Sequence, residues 1–492
     1  METHSAATVR LGNVDSRTME AVKDFSGLAS DSREVKPGYL FAALPGTHAD
    51  GAKFIADAVK RGAVAVLGRP DTAASAQSLG VRFIADENPR LRLAHFAATF
   101  FRDQPKTVAA ITGTNGKTSV SVFLRQIWAH LGHAAASLGT IGVIAPSGEF
   151  TLRHTTPDPV EVHRLLAKLK HENVDWLALE ASSHGLDQYR LDGVDISAGA
   201  FTNLTRDHLD YHADFDHYLA AKLRLFNELV HANGVAVVNV DADHAQDFLA
   251  ATHKRGLKTL TVGEKGETLA LLSHTPHGDG QALRIAYDGQ VYDVELPLAG
   301  GFQASNALVA AGLAIGLGDA APKVFEALSH LQGASGRLEK VAYAKSGALV
   351  YVDYAHTPDA LETVLAAVRP HVNGRLHVVF GCGGDRDKGK RPLMGAVAAR
   401  FADDVIVTDD NPRSEDPAAI RKETLSGAPG AKEIGNRAEA IHAGISALQP
   451  GDVLVIAGKG HESGQTIGNE TRPFLDRDEA IKAAIQLGGR PA

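Results

Sequence analysis

Short apolar runs, rich in β-branched residues, recur along this chain and alternate with stretches of helical periodicity. Clear examples are "WLALEAS" (176–182), "GVAVVNV" (234–240) and "DVLVIAG" (452–458). Runs of this kind favour strands that are buried on both faces, and their alternation with helices predicts parallel sheets. Parallel sheets place ligand sites beyond the carboxyl ends of their strands. The polar residues that directly follow each strand are therefore the candidates for function.

The same pattern divides the chain into three parts. Residues 1–105 contain the strand candidates "YLFAAL" and "AVAVLG" and the amphipathic stretch "GAKFIADAVKRGA", consistent with a small α/β module. Residues 106–336 alternate strands and helices after a glycine-rich loop, and residues 337–492 repeat that scheme. We therefore predict an α/β fold of three domains with these boundaries.

Composition and charge restrict the classes of protein to which the chain can belong. The 492 residues carry a net charge of −8, which gives no basic footprint for nucleic acid. No apolar run approaches the roughly 20 residues of a membrane span, and the N-terminal stretch lacks the pattern of a secretory signal. Cys382 is the single cysteine, so an intrachain disulfide is impossible and a reducing compartment is expected. We predict a cytoplasmic monomer without membrane insertion.

A glycine-rich loop opens the second part. In "VAAITGTNGKTSVSVF", Gly113 to Gly116 form a predicted tight turn between a buried strand and a helix. Such a loop offers backbone N–H groups to polyphosphate, with Lys117 reaching the terminal phosphates and Thr118 ligating magnesium. The strict P-loop pattern has glycine where Ile111 stands. The alternative is an ordinary glycine turn capped by Thr118.

Two further stretches carry candidate metal ligands. Glu180 ends an apolar strand, where a lone carboxylate is costly unless it meets a cation or hydrogen-bond donors. Residues 207–217 then crowd together Asp207, His208, Asp210, His212, Asp214, Asp216 and His217. These residue types suit a divalent cation, but a solvated acidic turn is an open alternative. Lys222 follows on a predicted helix and is anomalous, because a protonated amine cannot ligate magnesium.

Eight ordered motifs spread over nearly the whole chain resemble the Mur ligase family. They are "TGTNGKT", "EASSHGL", "NLTRDHLDYH", "SGRLE", "YAHTPD", "GCGGDRDKGKRP", "TDDNPR" and "AGKGHE". They are most similar to the MurE type, the ligases that join UDP-MurNAc-L-Ala-D-Glu and meso-diaminopimelate. The resemblance implies a central P-loop ATPase-like, mostly parallel sheet and a C-terminal Rossmann-like domain. The first domain would bind the UDP-sugar, the second ATP and the third the amino acid.

The activity implied by the resemblance is ATP-dependent amide formation in cytoplasmic peptidoglycan precursor synthesis, which serves cell wall biogenesis, cell shape and cell division. ATP phosphorylates a substrate carboxylate to an acyl phosphate and ADP, and the incoming amine then displaces phosphate. Two magnesium ions and basic residues would offset the repulsion between the anionic groups.

The resemblance also implies roles for single residues. Lys117, Glu180, His208 and Lys222 would be catalytic. Magnesium would be held by Thr118, Glu180, His208 and Lys222, the last as N6-carboxylysine, which resolves the anomaly because carbamylation turns a cation into a carboxylate-like group. ATP would contact Gly113, Thr114, Asn115, Gly116, Lys117, Thr118, Ser119, Asn306, Arg337, Asp353 and His356. Relatives often have asparagine where Gln303 stands.

The two other substrates are assigned in the same way. The UDP-muramoyl peptide would contact Ser32, His48, Thr155, Thr156, Ser182, Gln188 and Arg190. Diaminopimelate would contact Arg386, Asp410, Asn411, Pro412, Arg413, Gly458 and Glu462. Lysine-adding relatives usually lack the arginine of "DNPR", and a guanidinium suits the distal carboxylate of diaminopimelate because it donates two parallel hydrogen bonds. Alternatively, Arg413 pairs with Glu415 or Asp416 on the surface.

Three other functions stay open at this point. A lysine-adding Mur ligase or a folylpolyglutamate synthetase would share the ATP loop. A P-loop NTPase acting as a switch would hydrolyse ATP without any amino acid present.

Overall fold

The computed structural model describes residues 22–46, 50–207 and 211–492. Two predicted site residues, His48 and His208, lie outside these ranges. The chain divides into two compact units. The first unit contains the described residues up to Glu267 together with Val309–Ala321, and the second contains Thr268–Leu308 and Pro322–Ala492.

The first unit holds two sheets. Their strands are β1 Gly27–Ala29, β2 Tyr39–Ala42, β3 Ala65–Gly68, β4 Arg82–Ala85, β5 Thr107–Thr112, β6 Ala135–Gly139, β7 Gly142–Ala145, β8 Gly148–Phe150, β9 Trp176–Glu180, β10 Ile196–Phe201, β11 Val230–Asn239 and β12 Lys258–Gly263. Strands β1 to β4 pair in parallel in chain order. The larger sheet runs β12-β11-β10-β5-β9-β6-β7-β8, parallel from β12 to β6, with β7 and β8 antiparallel at its end.

The second unit is built around a mostly parallel sheet. Its strands are β13 Leu269–His277, β14 Gly280–Tyr287, β15 Gln290–Leu296, β16 Glu339–Tyr343, β17 Leu349–Asp353, β18 Leu376–Phe380, β19 Asp404–Val407, β20 Lys432–Glu433, β21 Val453–Ala457, β22 Gly464–Ile467, β23 Glu470–Pro473 and β24 Arg490–Pro491. The main sheet has the order β20-β19-β18-β21-β17-β16-β24, and β20 to β17 are parallel. Strands β13, β14 and β15 form antiparallel hairpins, as do β22 and β23.

Helices connect the parallel strands. They are α1 Ile55–Lys60, α2 Ala73–Gln77, α3 Pro89–Phe101, α4 Lys117–His130, α5 Pro159–His171, α6 Ser183–Asp187, α7 Phe215–Arg224, α8 Ala245–Arg255, α9 Gly301–Gly316, α10 Ala321–Leu328, α11 Pro358–Val368, α12 Lys390–Phe401, α13 Pro417–Leu425, α14 Arg437–Ser446 and α15 Asp476–Gln486. None of the described helices combines the length and the apolar character that a membrane span needs.

The α/β fold and the buried strands agree with the sequence prediction. Strands β5, β9 and β21 are buried over almost their whole length, as continuous apolar runs require. The hairpins β13 to β15 were not predicted. Each of them has one half-exposed face and mixes polar with apolar residues, as in "LALLSHTPH", so no continuous apolar run marks it.

A buried ion pair joins two helices of the second unit. Arg437, at the start of α14, donates from Nε and Nη2 to the carboxylate oxygens of Asp476 in α15 at 2.6 and 2.7 Å, and both side chains are fully buried. The same guanidinium donates to the carbonyls of Asp409 and Ala457, which follow β19 and end β21. One arginine therefore holds the chain at the ends of two strands that flank β18.

Replacing Asp476 by asparagine should destabilise the second unit strongly. The change leaves the buried charge of Arg437 without its counter-ion, and breaking such a pair costs about 3–5 kcal/mol. Calorimetry should show a lower melting temperature for Asp476→Asn. Glu470→Gln, which breaks the exposed Arg472–Glu470 pair, is the control and should change stability by less than about 1 kcal/mol. Equal melting of the two variants would contradict the role of the buried pair.

Candidate active site

The glycine-rich loop lies between β5 and α4, as predicted. Gly113 has φ +148°, and a Cβ there would lie 1.9 Å from Oγ1 of Thr202, so the position needs glycine. The loop is held from the next strand: the N–H of Thr114 donates to the carbonyl of Asn203 at 2.8 Å, and the N–H of Asn115 donates to Oδ1 of Asn203 at 2.9 Å. The turn is thus held by contacts within the protein.

Two predicted lysines meet at this loop. Nζ of Lys117 donates to the carbonyls of Gly113 and Thr114 at 2.9 and 2.7 Å, and Nζ of Lys222 donates to the same Gly113 carbonyl at 2.7 Å. Lys222 is 1% exposed and lies over the ring of Tyr218. Burial lowers the pKa of the Lys222 amine well below its usual value, and the charge of Lys117 lowers it further. The environment of Lys222 therefore favours the neutral form of its amine more than water does.

Glu180 ends β9, directly beside β5 in the parallel register Ile111↔Glu180. Its carboxylate is 1% exposed and accepts hydrogen bonds from the N–H and the hydroxyl of Thr140 at 2.8 and 3.1 Å. Gly139 is required here, because a Cβ would lie 2.0 Å from Oε1 of Glu180. Both donors are neutral, and none of the described residues forms an ion pair with this carboxylate.

The acidic and histidine-rich stretch separates into different environments. Asp214 caps α7 by accepting from the N–H of His217 at 2.8 Å, and both side chains are exposed, so this part is an ordinary helix start. His212 is buried, with its ring near Tyr211 and Tyr218. The alternative that this stretch is a solvated turn is thus correct for Asp214 and His217.

Magnesium suits part of the predicted ligand set. Glu180 is a buried carboxylate with neutral donors only, and Thr118 lies buried in the first turn of α4. Both supply the hard oxygen atoms that magnesium prefers. Within residues 22–46, 50–207 and 211–492, no group of three or more His, Cys, Asp or Glu side chains could hold a metal ion. The predicted magnesium ligands are not such a group, because they include the hydroxyl of Thr118 and the side chain of Lys222.

The residues predicted for the UDP-muramoyl peptide form one hydrogen-bonded group beyond β9. Oγ1 of Thr156 donates to the Glu180 carbonyl at 2.9 Å and accepts from the hydroxyl of Ser182 at 2.9 Å. Arg190 donates to the Thr156 carbonyl at 2.6 Å and to Oε1 of Gln188 at 2.8 Å. The hydroxyl of Thr155 lies 3.0 Å from that of Thr140. Thr156 is therefore bonded directly to Glu180, and Ser182 and Arg190 are linked to Glu180 through Thr156.

Two residues of this group were missed by sequence reasoning. Arg90, in the first turn of α3, donates to the carbonyl of Pro45 at 2.5 Å and more weakly to Oε1 of Gln188 at 3.4 Å. Nε2 of Gln188 donates to the hydroxyl of Tyr211, which donates to Asp187 at 2.6 Å. Burial lowers the pKa of Arg90 and of Arg190. Two half-buried guanidinium groups thus share one amide oxygen, an arrangement that favours a bound anion.

Ser32, the other described residue predicted for this substrate, lies in a short 3-10 turn after β1. The turn is capped by Asp31, whose carboxylate accepts from the N–H of Arg33 at 2.9 Å. The Ser32 side chain is 6% exposed and forms a hydrogen bond that lowers the pKa of Asp57. Its described contacts are those of a turn residue.

The predicted nucleotide residues of the second unit form a chain of contacts. Nδ2 of Asn306 donates to Oε1 of Gln303 at 3.1 Å, and Nε2 of Gln303 donates to the carbonyl of Arg337 at 3.2 Å. Asp353, at the end of β17, accepts from the N–H groups of Leu338 and Ala355 at 2.6 and 2.7 Å. Gln303 therefore uses both its amide nitrogen and its amide oxygen in this chain of contacts.

Burial gives this group unusual electrostatics. It raises the pKa of Asp353 to about 6, although the positive charge of Arg337 opposes the shift. The guanidinium of Arg337 lies over the ring of Tyr354, with 4.8 Å from Cζ to the ring centroid. His356 is exposed, and Nδ1 of its ring lies 2.9 Å from the Tyr354 carbonyl. Nearby, burial lowers the pKa of His461 to about 4.

The stretch "TDDNPR" follows β19, and its two aspartates have different partners. Asp409 forms an ion pair with Arg421, which also pairs with Glu433 at 2.8 Å. Asp410 is 8% exposed and accepts from the N–H of Asn411 at 2.7 Å. Gly458 faces Asp410 from the end of β21, where a Cβ would lie 2.8 Å from Oδ2 of Asp410. Asp409 is thus structural, whereas Asp410 lies at the predicted site.

Asn411 joins this loop to the loop after β21. Its Nδ2 donates to Oε2 of Glu462 at 2.8 Å, and its Oδ1 accepts from the N–H of Thr466 at 3.0 Å. Lys459 also donates to Oδ1 of Asn411. The structure therefore brings Asp410, Asn411, Gly458 and Glu462 together, as predicted.

Arg413 has a left-handed backbone, with φ +53°. The hairpin β22–β23 holds it there: its N–H donates to the carbonyl of Thr466 at 3.0 Å, and its own carbonyl accepts from the N–H of Gly468 at 2.7 Å. From Nη1 the side chain donates to the carbonyl of Gly384 at 2.7 Å. Gly384 must be glycine, because a Cβ would lie 1.8 Å from the carbonyl oxygen of Pro412.

The alternative pairing of Arg413 with a nearby carboxylate is wrong. Glu415 pairs with Arg391 at 2.8 Å and with Lys388 at 3.1 Å, and Asp416 caps α13. Asp385 accepts from the hydroxyl of Ser414 at 2.6 Å. No carboxylate of the described residues forms an ion pair with Arg413.

Arg386 forms no hydrogen bond or ion pair with the other described residues predicted for diaminopimelate. It is exposed, and its Nη1 donates to the carbonyl of Asp385 at 3.2 Å. Its neighbour Asp385 nevertheless ties this loop to the one that carries Arg413, through Ser414.

Two contact residues gave no recognisable signal in the sequence. Thr140 and Arg90 lie in stretches without a motif and act through folding partners distant in the chain. Asn203 begins the motif "NLTRDHLDYH", so that motif could have pointed to it. Lys459 and Gln465 lie in or beside the motif "AGKGHE", so that motif could have pointed to them.

Comparison with known proteins gives the family directly. The description "Mur ligase family, catalytic domain" matches residues 24–101, "Mur ligase middle domain" matches residues 111–314, and "Mur ligase, glutamate ligase domain" matches residues 336–460. A UDP-N-acetylmuramoyl-L-alanyl-D-glutamate–2,6-diaminopimelate ligase of Rhizobium meliloti is 54% identical over 471 residues, covering 95% of each chain. The ligase of the same name in Bradyrhizobium diazoefficiens is 55% identical over 94% of this chain and 96% of its own.

Solved structures agree with this result. A structure of a UDP-N-acetylmuramoyl-L-alanyl-D-glutamate–2,6-diaminopimelate ligase is 34% identical, with a TM-score of 0.70 over 94% of this chain and 95% of its own. Folylpolyglutamate synthase of Mycobacterium tuberculosis is 20% identical, with a TM-score of 0.60 over 75% of this chain and 92% of its own, and shares the fold alone. With matching domains over more than half its length and relatives above 50% identity, the chain belongs to the Mur ligase family.

Proposed function

We propose that this chain is an ATP-dependent, ADP-forming ligase that joins meso-diaminopimelate to UDP-MurNAc-L-Ala-D-Glu in peptidoglycan precursor synthesis. The observation that carries the amino-acid assignment is the guanidinium of Arg413, which donates to a carbonyl and forms no ion pair with any carboxylate of the described residues, although Asp385 and Glu415 lie on the adjoining loops. An arginine placed in this way fits an external carboxylate. The relatives named as diaminopimelate ligases, at 54 and 55% identity, support the same assignment.

The first unit supplies groups for the phosphoryl step. The loop from Gly113 to Gly116 offers backbone N–H groups at a helix start, and Lys117 stands beside them. In this step a carboxylate oxygen of the substrate attacks the γ-phosphorus of ATP, and ADP leaves. Arg90 and Arg190 support binding of an anionic group of the muramoyl peptide, because both are half-buried and neither is paired with a carboxylate in the described ranges.

Magnesium would be held by Thr118 and Glu180, joined by His208 and a carbamylated Lys222. When bound it would supply charge neutralisation at the phosphates. The chain's own contribution is a buried carboxylate oriented by Thr140. Lys222 suits carbamylation because a neutral amine is the form that attacks carbon dioxide, and both burial and Lys117 lower the pKa of that amine.

The second unit supplies groups for the acceptor. Arg413 and Asn411 offer N–H donors, and Glu462 offers a carboxylate, so a distal ammonium and a distal carboxylate both find partners. The nucleophilic amine loses a proton and attacks the acyl carbon, and phosphate leaves as the amide forms. Since ATP and UDP-linked substrates are nucleotides of the cell interior, we place the reaction in the cytoplasm.

A coupled assay tests this function against its alternatives. The purified chain, with ATP, magnesium and UDP-MurNAc-L-Ala-D-Glu, should release phosphate only when meso-diaminopimelate is added. Robust release without an acceptor would support a P-loop switch and refute the ligase. Equal turnover with lysine would support a lysine-adding enzyme, and turnover with a folate and glutamate instead would support a folylpolyglutamate synthetase.

Arg413→Ala should lower kcat/KM for diaminopimelate by a factor equivalent to about 2–4 kcal/mol, because the distal carboxylate loses its charged donor. The KM for ATP should stay unchanged. Arg472→Ala is the matched control, since Arg472 lies on the neighbouring hairpin and pairs only with the exposed Glu470. Wild-type efficiency in Arg413→Ala would refute the contact.

Lys222→Ala should lose nearly all ligase activity, because the amine that would carry carbon dioxide is gone. Intact-protein mass spectrometry under bicarbonate should show the added mass of one carbon dioxide in the wild type and none in the variant. Lys265→Ala, at an exposed lysine of the same unit, is the control and should keep both activity and added mass. Full activity of Lys222→Ala would exclude the modification as a requirement.

A further inference from the structure

Lys459 is a buried cation between the two loops of the proposed amino-acid site. It lies two residues beyond the end of β21, and its side chain is 0% exposed. Its ammonium donates to Oδ1 of Asn411 at 3.2 Å, to Oε2 of Glu462 at 3.1 Å and to the carbonyl of Gly464 at 2.7 Å. A buried ammonium is costly unless it is paired and hydrogen-bonded, and these acceptors use all three of its donors.

The position of Lys459 determines the orientation of the Asn411 amide. The atom facing Lys459 also receives the N–H of Thr466 at 3.0 Å. An ammonium and a backbone N–H can only donate, so this atom must be the amide oxygen. The amide nitrogen is then directed to Oε2 of Glu462, at 2.8 Å. Rotating the amide by half a turn would place its NH2 group against two donors.

The same ammonium constrains Glu462. Oε2 of Glu462 accepts from both Lys459 and Asn411, and no described residue donates to Oε1. The side chain of Glu462 is 34% exposed, so the protein covers it only in part. The Asn411 amide has two N–H groups, and one of them donates to Glu462 while the other takes no part in that bond. An acceptor and a donor therefore lie side by side, which is the complement of an ammonium and a carboxylate on one carbon atom.

We propose that Lys459 is a positioning residue that orients Asn411 and Glu462 to recognise the distal ammonium and carboxylate of diaminopimelate. The inference rests on the proposed function, because its ligand is the amino acid assigned there. Lys459 acts through its two neighbours and does not touch the ligand, since its three donors are already used. Arg413 contributes the charged donor from the other side of "DNPR".

Lys459→Met tests this role, because methionine has a similar length and no donor. The KM for diaminopimelate should rise tenfold or more, as expected when a buried charged hydrogen bond is lost. The KM values for ATP and UDP-MurNAc-L-Ala-D-Glu should change less than twofold, and kcat should fall less than the KM rises. Lys482→Met is the control, since Lys482 pairs with Glu479 at the same spacing on an exposed surface.

A double-mutant cycle separates positioning from general damage. If Lys459 acts through Asn411, then Lys459→Met should add less than a threefold loss in kcat/KM to Asn411→Ala. If Lys459 had only a structural role, the two substitutions would lower kcat/KM independently, so their factors would multiply in the double variant. The KM for ATP would then rise as well. If Lys459→Met fails to fold, Glu462→Gln is compared with the double variant Glu462→Gln, Lys459→Met, because the double variant leaves neither charge of the pair without its partner.

The wild type decides which proposal has failed. Phosphate release without diaminopimelate in the wild type would overturn the proposed function itself. An acceptor-dependent wild type together with an unchanged KM for diaminopimelate in folded Lys459→Met would overturn only the role of Lys459.

Discussion

Parallel strand pairing is the constraint on which the rest of this molecule depends. In a parallel sheet all strands end at one edge, so residues far apart in the chain become neighbours there. Glu180 is brought beside the loop after β5 by the register of β5 and β9. In the second unit β19 and β21 both pair with β18, which sets the "DNPR" loop beside the loop of Lys459 and Glu462. Hydrogen bonds between the backbones of paired strands therefore bring the candidate functional residues of each unit together.

Basic side chains then give each edge its shape. The buried Lys222 and the half-buried Lys117 converge on one carbonyl in the first unit, and the buried Arg437 and Lys459 stabilise the strand ends of the second. Each of these polar groups would be costly to remove from water without its acceptors, and several of the acceptors are backbone carbonyls. The cost of burying these groups is thus offset by the same contacts that hold the loops in one conformation. Rigid loops suit a site that must keep several polar groups in register.

Much of this architecture could be predicted from the sequence, and the reasons are visible in particular residues. Continuous apolar runs marked β5, β9 and β21, and the residues just beyond them marked Lys117, Glu180 and Glu462. The hairpins β13 to β15 could not be predicted because one face of each is half exposed. The contacts of Thr140 and Arg90 could not be predicted because they depend on chain packing that no local sequence pattern shows. The roles of His48 and His208 stay predictions, since both lie outside the described residues.

The backbone at Arg413 has a consequence for engineering. A left-handed φ disfavours arginine relative to glycine by roughly 1 kcal/mol, so thermal stability and the proposed role of Arg413 make opposite demands on this position. A library screened only for heat resistance would be expected to enrich glycine or asparagine at 413. Under the proposed role of Arg413, such variants would be more stable but would no longer distinguish diaminopimelate from lysine, and melting data alone would give no warning of that loss.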